Sequence, residues 1–169
     1  MKNEYKLIAR NFGPVWDSRS RVLILGSFPS PKSREAAFYY GHPRNRFWPL
    51  MANLLDEPLP ETVEDKSHLV LSHGIALWDV LESCEIRGAS DTSIRNAVPV
   101  DIGTVTGAAP IGHIFCNGSA SHRLYCEHLQ SVTGIEAVKL PSTSPANAAC
   151  GMEELISSWS IIIQCLIYK

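Results

Sequence analysis

Residues Arg21–Gly26, with the sequence RVLILG, form a continuous apolar run that ends at a glycine. Such a run is typical of a strand that is buried on both faces of a parallel sheet. Further strands are predicted at Ile75–Val80, Ile111–Cys116 and Ile135–Leu140. Helices are predicted at Arg46–Leu55, Glu61–His73 and Glu153–Ile167. Strands that alternate with helices predict a three-layer α/β/α sandwich around a central, mainly parallel, four-stranded sheet.

Local signals set the boundaries of these elements. Gly74 ends the second helix, and Ser119 is a candidate cap for a helix that follows Asn117-Gly118. A long loop rich in proline, serine and aromatic residues is expected after Gly26. In open parallel sheets, ligands bind beyond the carboxyl ends of the strands. Those ends are predicted at Gly26–Pro31, Asn117–Gly118 and Leu140–Pro145.

Composition and charge narrow the range of functions. The chain has 169 residues, of which 45% are hydrophobic, and residues 1–169 are predicted to form one domain. The formal net charge of −2 excludes a basic field over the whole surface, so nucleic acid would have to bind a local patch. The first residues, MKNEYKLIAR, lack the apolar core of a signal peptide, and no apolar run is long enough to span a membrane. The prediction is a cytoplasmic monomer that needs no protein partner.

The cysteines and histidines do not have the spacing of a metal site. Five cysteines form no Cys-x-x-Cys pair, which predicts reduced thiols. Cys116, His122, Cys126 and His128 lie close together in the sequence but lack the two-residue spacing of zinc ligands. No metal and no cofactor are therefore expected.

Residues Gly26–Ser33 read GSFPSPKS, which is close to the pattern of a phosphate-binding loop. Pro29 and Pro31 argue against that function, because each removes a backbone N–H and fixes φ. Two prolines after a buried strand instead give a stiff loop. Such a loop suits a site that holds a ligand in a fixed position, although it would equally suit a simple change of chain direction.

The stretch Phe38–Trp48, FYYGHPRNRFW, interleaves aromatic and basic residues. Together with Lys32 and Arg34 it is the one local patch that could offset the overall charge, since basic groups neutralise phosphates and aromatic rings stack on bases. The alternative is that the aromatic rings close the core and the charges are solvated.

Four segments resemble one family. GSFPS followed by FYYGHPRNRFW resembles the hypoxanthine-DNA glycosylases of the uracil-DNA glycosylase superfamily, and GHPRNRFW also resembles the mismatch-specific uracil glycosylases. Leu140–Asn147, LPSTSPAN, is similar to the second motif of the superfamily, and Ile86–Ile94, IRGASDTSI, is similar to the hypoxanthine branch. The resemblance spans roughly Arg21 to Asn147.

The resemblance implies a base excision repair enzyme that hydrolyses the N-glycosidic bond of a deaminated base in DNA, above all hypoxanthine in deoxyinosine. The base leaves the helical stack, and water attacks an oxocarbenium-like sugar without a covalent intermediate. Lys32 is the one lysine in the matched motifs, so a lyase step is not expected. Two alternatives stay open: a uracil or mismatch glycosylase, and a nucleic-acid-binding protein without chemistry.

The resemblance also implies a catalytic residue. Phe28 stands where the uracil enzymes carry an aspartate that serves the attacking water, and Leu140 stands where they carry a histidine. In the hypoxanthine branch the catalytic amide matches Asn45, whose side-chain oxygen is predicted to orient the water. The alternative is that Asn45 caps the helix that begins at Arg46.

The remaining motif residues receive binding roles from the resemblance. The small Ser30 widens the pocket for a purine, and Tyr40 matches an aromatic residue that stacks on the base. The base-binding set is Ser27, Phe28, Ser30 and Tyr40. The DNA-binding set is Lys32, Arg44, Arg46, Ser142, Thr143, Ser144 and Asn147.

Two further features have open roles. Asp91 lies in SDTSI, where a carboxylate is a possible general base, but Ser90 or Asp91 would equally cap a short helix, and capping or loop ordering is the preferred interpretation. Asn117-Gly118 either approaches the sugar-phosphate or forms only a turn.

Overall fold

A computed structural model describes residues 4–167 of the chain. The strands are β1 (Lys6–Ala9), β2 (Val22–Gly26), β3 (Ile75–Asp79), β4 (Leu81–Ile86), β5 (Arg95–Pro99), β6 (His113–Asn117) and β7 (Val138–Leu140). The helices are α1 (Pro31–Ala36), α2 (Phe47–Leu54), α3 (Val63–Ser72), α4 (Gly103–Thr106), α5 (Ser119–His128), α6 (Gln130–Thr133), α7 (Met152–Trp159) and α8 (Ile161–Ile167).

The central sheet has the strand order β3-β2-β6-β7, and all of its neighbours are parallel. Every residue of β2 is buried, as expected for the middle of a sheet that is covered on both faces. Helices flank the sheet, with α3 against β3, α5 against β6 and α8 against β2. The predicted α/β fold around a four-stranded parallel sheet is confirmed.

A second, antiparallel sheet with the order β1-β4-β5 was not predicted from the sequence. The buried positions of β4 do not alternate regularly, and its pairing with β5 contains register shifts, so the period-two pattern of a strand is lost. Val80 and Leu81 donate backbone hydrogen bonds to Gly26 and Ser27, which carry β4 past the end of β2. The small sheet therefore stands beside the carboxyl edge of the central sheet.

Four predictions of local structure were wrong, and one of them is the start of the fourth strand of the central sheet, which lies at Val138 and not at Ile135. The expected loop after Gly26 contains α1, because the Ser30 hydroxyl accepts from the Ser33 N–H and Pro31 occupies the first turn. Gly118, with a φ of 98°, occupies the N-cap of α5, so Ser119 is the first helical residue and not its cap. The C-terminal helix is divided at Ser160, whose hydroxyl donates to the Ser157 carbonyl.

The core joins these layers. Its largest fully buried side chains include Trp159, Tyr125, Phe47 and Phe115. The Trp159 indole N–H donates to the Pro141 carbonyl at 2.9 Å, which fastens α7 to the segment that follows β7. Within residues 4–167, no helix combines the length and the apolarity that crossing a membrane would require.

Replacing Gly26 by alanine should destabilise the protein. A Cβ atom there would lie 2.3 Å from Oδ1 of Asp79, its partner in the β2–β3 register, so the buried Asp79 carboxylate, which pairs with Arg10, would have to move. We expect Gly26→Ala to lower the free energy of unfolding by about 1–3 kcal/mol in urea denaturation. At Gly13 the described residues leave the Cβ position free within 4 Å, so Gly13→Ala is the control. Equal stability of the two variants would contradict the prediction.

Candidate active site at the carboxyl ends of the parallel strands

A cavity of about 150 Å³ opens at the carboxyl edge of the central sheet. Its walls contain residues of β2, β3 and β6, residues of the loop that follows β7, and residues at the end of β4 and in the segment after it. The residues of the cavity wall include the segments Ser27–Pro31 and Ser142–Ser144 and the side chains of Arg34, Tyr39, Tyr40, Asn45, Asp79, Asp91, Asn117 and Thr143. The strand ends that the sequence identified thus meet at one place.

The Thr143 hydroxyl connects three of these segments. It donates to Oδ1 of Asn45 at 2.9 Å and accepts from Nδ2 of Asn117 at 3.0 Å. Oδ1 of Asn117 in turn accepts from the Thr143 backbone N–H at 3.0 Å. Since Thr143 has no exposed surface, these hydrogen bonds are shielded from water. Asn117 therefore does more than form a turn, because it fixes the loop that follows β7.

Asn45 lies one residue before Arg46, the N-cap residue of α2, so it contacts the start of the helix without occupying the cap position that the alternative gave it. Its Oδ1 accepts from the Phe47 backbone N–H at 3.0 Å, in the first turn of α2, and also from Thr143. A carboxamide oxygen has two lone pairs, so two donors nearly fill its capacity. The same contacts hold the amide rigidly in the cavity wall. The catalytic role of Asn45 stays a prediction, whereas its contact with the start of the helix is observed.

A buried carboxylate that the sequence analysis missed lies at the base of the cavity. Asp79 ends β3, is 4% exposed, and pairs with Arg10 at 3.3 Å between Oδ2 and Nη1. Burial raises the pKa of Asp79 to about 6, against the opposing effect of the Arg10 guanidinium. The sequence could have indicated Asp79 as a site residue, because it lies at the end of a predicted apolar strand, at the edge of the sheet where ligands bind.

Arg10 is also fixed by other groups. It donates from Nη2 to the Tyr39 hydroxyl at 3.0 Å and from Nε to the Phe12 carbonyl at 2.9 Å. The Tyr39 hydroxyl donates onward to the Gly13 carbonyl at 2.9 Å. A buried charge held by this many partners keeps its position, so Asp79 faces the cavity from a rigid base.

Tyr40 lines the same cavity in an unusual backbone conformation. Its φ is 54°, and its ring stacks on Phe47 with centroids 4.0 Å apart. The hydroxyl is buried and, within residues 4–167, has no hydrogen-bond partner. Burial, followed by the nearby Asp79 charge, raises the pKa of Tyr40, which keeps the hydroxyl protonated as a donor. Its contact with a base stays a prediction.

The other predicted base-binding residues also line the cavity. Ser27 and Phe28 are nearly buried, and the Arg34 guanidinium lies 5.9 Å from the centre of the Phe28 ring. Ser30 is exposed and, besides facing the cavity, caps α1. The structure therefore brings together Ser27, Phe28, Ser30, Tyr40 and Asn45.

Asp91 lies at the mouth of the cavity and not at a helix cap. It opens one turn of 3₁₀ helix, Asp91–Ser93, in which neither Ser90 nor Asp91 makes a side-chain capping bond. Its Oδ1 instead accepts from the Ser27 hydroxyl at 3.1 Å, so the loop-ordering half of the interpretation is observed and the capping half was wrong. Neighbouring protein atoms raise the pKa of Asp91 by desolvation, which is partial because the residue is exposed.

The predicted DNA-binding residues divide into two groups. Lys32 and Arg44 are exposed, and Ser142, Ser144 and Asn147 are half-buried beside the cavity, so their contacts with DNA stay predictions. Thr143 is fully buried and its hydroxyl bonds to Asn45 and Asn117, so a contact between Thr143 and DNA also stays a prediction.

Arg46 has contacts of its own inside the protein. Its guanidinium donates to the backbone carbonyls of Cys150, Ser144 and Asn147. These bonds tie the start of α2 to the loop that follows β7. A contact between Arg46 and DNA stays a prediction.

Metal ligands do not gather at this site. Among residues 4–167, no group of three or more histidine, cysteine, aspartate or glutamate side chains could hold a metal ion. His122 and Cys126 do approach each other on α5, with 3.7 Å between Nε2 and Sγ.

The chain is similar in sequence to two known proteins. No protein-family model matches the chain. A hypoxanthine DNA glycosylase of Methanosarcina acetivorans is 34% identical over 142 residues, which cover 83% of this chain and 89% of the relative. A hypoxanthine DNA glycosylase of Methanosarcina barkeri is 31% identical over 140 residues, which cover 82% and 87%.

A solved structure has the same fold. It was determined by solution NMR for a Methanosarcina acetivorans protein described as a candidate uracil DNA glycosylase. The TM-score is 0.81 at 30% sequence identity, over 96% of this chain and 100% of that one. Sheet topology and overall likeness define a fold of the uracil DNA glycosylase class. The chain belongs, within that class, to the hypoxanthine DNA glycosylase family, as the sequence motifs predicted.

Removing the Thr143 hydroxyl should lower the stability of the protein without changing the volume of the side chain much. Thr143→Val keeps the shape of the side chain but leaves Nδ2 of Asn117 without its acceptor and Asn45 with one donor fewer. We expect a loss of about 1–3 kcal/mol in the free energy of unfolding, measured by urea denaturation. Exposed Thr104 provides the control, and Thr104→Val should change stability by about 0.5 kcal/mol or less. A neutral Thr143→Val would show that the network contributes nothing.

Proposed function

We propose that this protein is a DNA repair glycosylase that releases hypoxanthine from deoxyinosine in DNA. The observation that carries the proposal is the cavity itself, where the matched motif residues and a buried carboxylate meet at the carboxyl edge of the sheet. Similarity to two proteins named for this activity, over 83% and 82% of this chain, supports it.

The side chains at the bottom of the cavity can form hydrogen bonds with the edge of a deaminated nucleobase. Hypoxanthine presents an N–H donor at N1 beside a carbonyl acceptor at C6, whereas adenine presents an acceptor beside an amino donor. The ionised Asp79 carboxylate accepts hydrogen bonds only, and the protonated Tyr40 hydroxyl is a buried donor with no hydrogen-bond partner among residues 4–167. An acceptor and a donor of this kind match hypoxanthine and leave adenine with unpaired groups, which is the stronger form of discrimination.

The chemistry requires a base that has left the helix and a water held on the sugar. Cleavage of the glycosidic bond passes through an oxocarbenium-like state, which needs a well-placed water more than a strong nucleophile. We propose that the amide of Asn45, which Phe47 and Thr143 fix in the cavity wall, holds that water. Rigid placement of this kind is worth several orders of magnitude in rate.

DNA would reach the cavity along the surface that carries Lys32, Arg44, Ser142, Ser144 and Asn147. The two basic side chains supply the local charge that a chain of net charge −2 needs to bind phosphates. Because one chain provides the whole cavity wall, we propose a monomer that needs no protein partner. A cytoplasmic location belongs to the same proposal.

The test is a single-turnover assay with excess protein and EDTA throughout. Matched oligonucleotides carry one deoxyinosine or one deoxyuridine, single- or double-stranded, and alkali reveals abasic sites. Cleavage at deoxyinosine with little at deoxyuridine is expected. Preferred cleavage at deoxyuridine would assign the protein to uracil repair. Binding of folded protein to the DNA without cleavage of either would contradict an enzymatic function.

Replacing Asn45 by alanine should abolish most of the base release. The variant loses the amide that holds the water, and we expect the single-turnover rate on deoxyinosine to fall by about 100-fold or more. Asn53, exposed on the same helix α2, provides the matched control, and Asn53→Ala should keep the wild-type rate. Circular dichroism of both variants checks folding. A folded Asn45→Ala with the wild-type rate would contradict the assigned role.

The pH dependence of base release should show the ionisation of Asp79. Its pKa of about 6 means that the carboxylate form, the acceptor for N1–H, is lost as the pH falls through about 6. We expect the wild-type rate to fall below that pH, and Asp79→Asn to be slower and to lack that ionisation. Asp101→Asn, at an exposed site, is the control. An unchanged profile in Asp79→Asn would show that Asp79 does not bind the base in its ionised form.

A further inference from the structure

Asp91 lies where the cavity that is proposed to hold the nucleobase, called the base cavity below, meets a second depression. That depression, the strand-end groove, is lined by Gly118, Ser119, Lys139, Leu140, Pro141, Ala146, Asn147, Asp91, Ser142 and Ser144. The last three residues of this set line the base cavity as well. In a bound nucleotide the glycosidic bond joins the base to the sugar, so it must lie where the base cavity opens into the groove. Asp91 is the carboxylate at that junction.

The proposed reaction needs a group that accepts a proton from water, and few side chains here are able to do so. Asn45 is an amide whose oxygen already accepts two hydrogen bonds. Within residues 4–167 the cavity lining contains two carboxylates, Asp79 and Asp91. Asp79 is nearly buried and paired with Arg10 at the base of the cavity, away from the sugar. Asp91 is thus the carboxylate that a water on the sugar would reach.

On the basis of the proposed function, we propose that Asp91 is a catalytic residue that takes a proton from the attacking water and stabilises the positively charged sugar. The C1′–N9 bond breaks and its electron pair leaves with the base. The water oxygen bonds to C1′ and gives one proton to the Asp91 carboxylate. That proton then passes to solvent, and the departing base anion takes up a proton from solvent, so the net reaction consumes one water.

The surroundings of Asp91 fit this role. The Ser27 hydroxyl holds Oδ1 at 3.1 Å and so orients the carboxylate, while the exposure of the residue lets water reach it. Partial desolvation raises the pKa of Asp91, which makes the carboxylate a better proton acceptor near neutral pH. The negative charge also faces the site where positive charge develops in the transition state, an arrangement that stabilises such a state.

The competing explanation is that Asp91 only orders its loop by holding Ser27. The variants Asp91→Asn, Asp91→Ala and Ser27→Ala separate the two. Asp91→Asn keeps a hydrogen-bond acceptor for Ser27 but is not a base, whereas Ser27→Ala removes the loop contact and keeps the carboxylate. The control is Asp56→Asn, at an exposed site whose φ of 53° asparagine tolerates well.

The experiment measures single-turnover release of hypoxanthine, and separately the affinity for an oligonucleotide with an uncleavable 2′-fluoro analogue of deoxyinosine. We expect Asp91→Asn to slow release by about 100-fold with little change in affinity, and Ser27→Ala to slow it by about tenfold or less. Added formate, a small carboxylate, should restore part of the rate in Asp91→Ala and should not accelerate Asp56→Asn.

Several results would overturn the assignment. Asp91→Asn with a rate close to wild type would exclude a role in the chemical step. An equal loss in Ser27→Ala and Asp91→Asn, together with weaker DNA binding and no effect of formate, would show that Asp91 acts only by ordering the loop. A wild-type protein that releases no hypoxanthine would instead refute the proposed function, and this role for Asp91 with it.

Discussion

The hydroxyl of Thr143 is the constraint on which the site depends. It joins Asn45, which precedes α2, to Asn117, which ends β6, and its own backbone extends from β7. Each of these segments is a loop at a strand or helix end, where the chain would otherwise be free to move. The buried hydroxyl donates one hydrogen bond and accepts another, and these two bonds fix the spacing of the segments. Arg46 also connects the start of α2 to the loop that follows β7, through hydrogen bonds to three backbone carbonyls.

The ion pair between Arg10 and Asp79 plays the corresponding part on the other side of the cavity. Arg10 follows β1 of the small antiparallel sheet, and Asp79 ends β3 of the parallel sheet, so one buried contact joins both sheets. Desolvation makes such a pair costly unless its remaining polar atoms are satisfied, and Arg10 finds Tyr39 and Phe12 for that purpose. The small sheet thus supplies the counter-charge that lets a carboxylate stay below the cavity.

Sequence reasoning succeeded where local pattern and tertiary structure agree. The continuous apolar runs in β2 and β6 are buried on both faces, and this pattern can be recognised without knowing the rest of the fold. It failed at β4 and β5, where bulges break the alternation. It also did not foresee the burial of Thr143, because Pro-Ser-Thr-Ser is a composition typical of an exposed turn. Asp79 was missed for another reason, namely that its partner Arg10 is distant in sequence and only the fold reveals the pairing. For Asn45, neither the sequence nor the structure decides the role, since its contact with the start of α2 and its proposed catalytic role use the same amide.

The backbone of Tyr40 has a consequence for how this protein can evolve. A residue other than glycine at a φ of 54° costs of order 1 kcal/mol or more, and the stacking of the ring on Phe47 offsets that strain. Glycine would relax the backbone but remove the ring from the cavity wall. Stability and the site therefore both depend on the ring, so variants that relax this backbone are expected to lose both, and the strained conformation is retained.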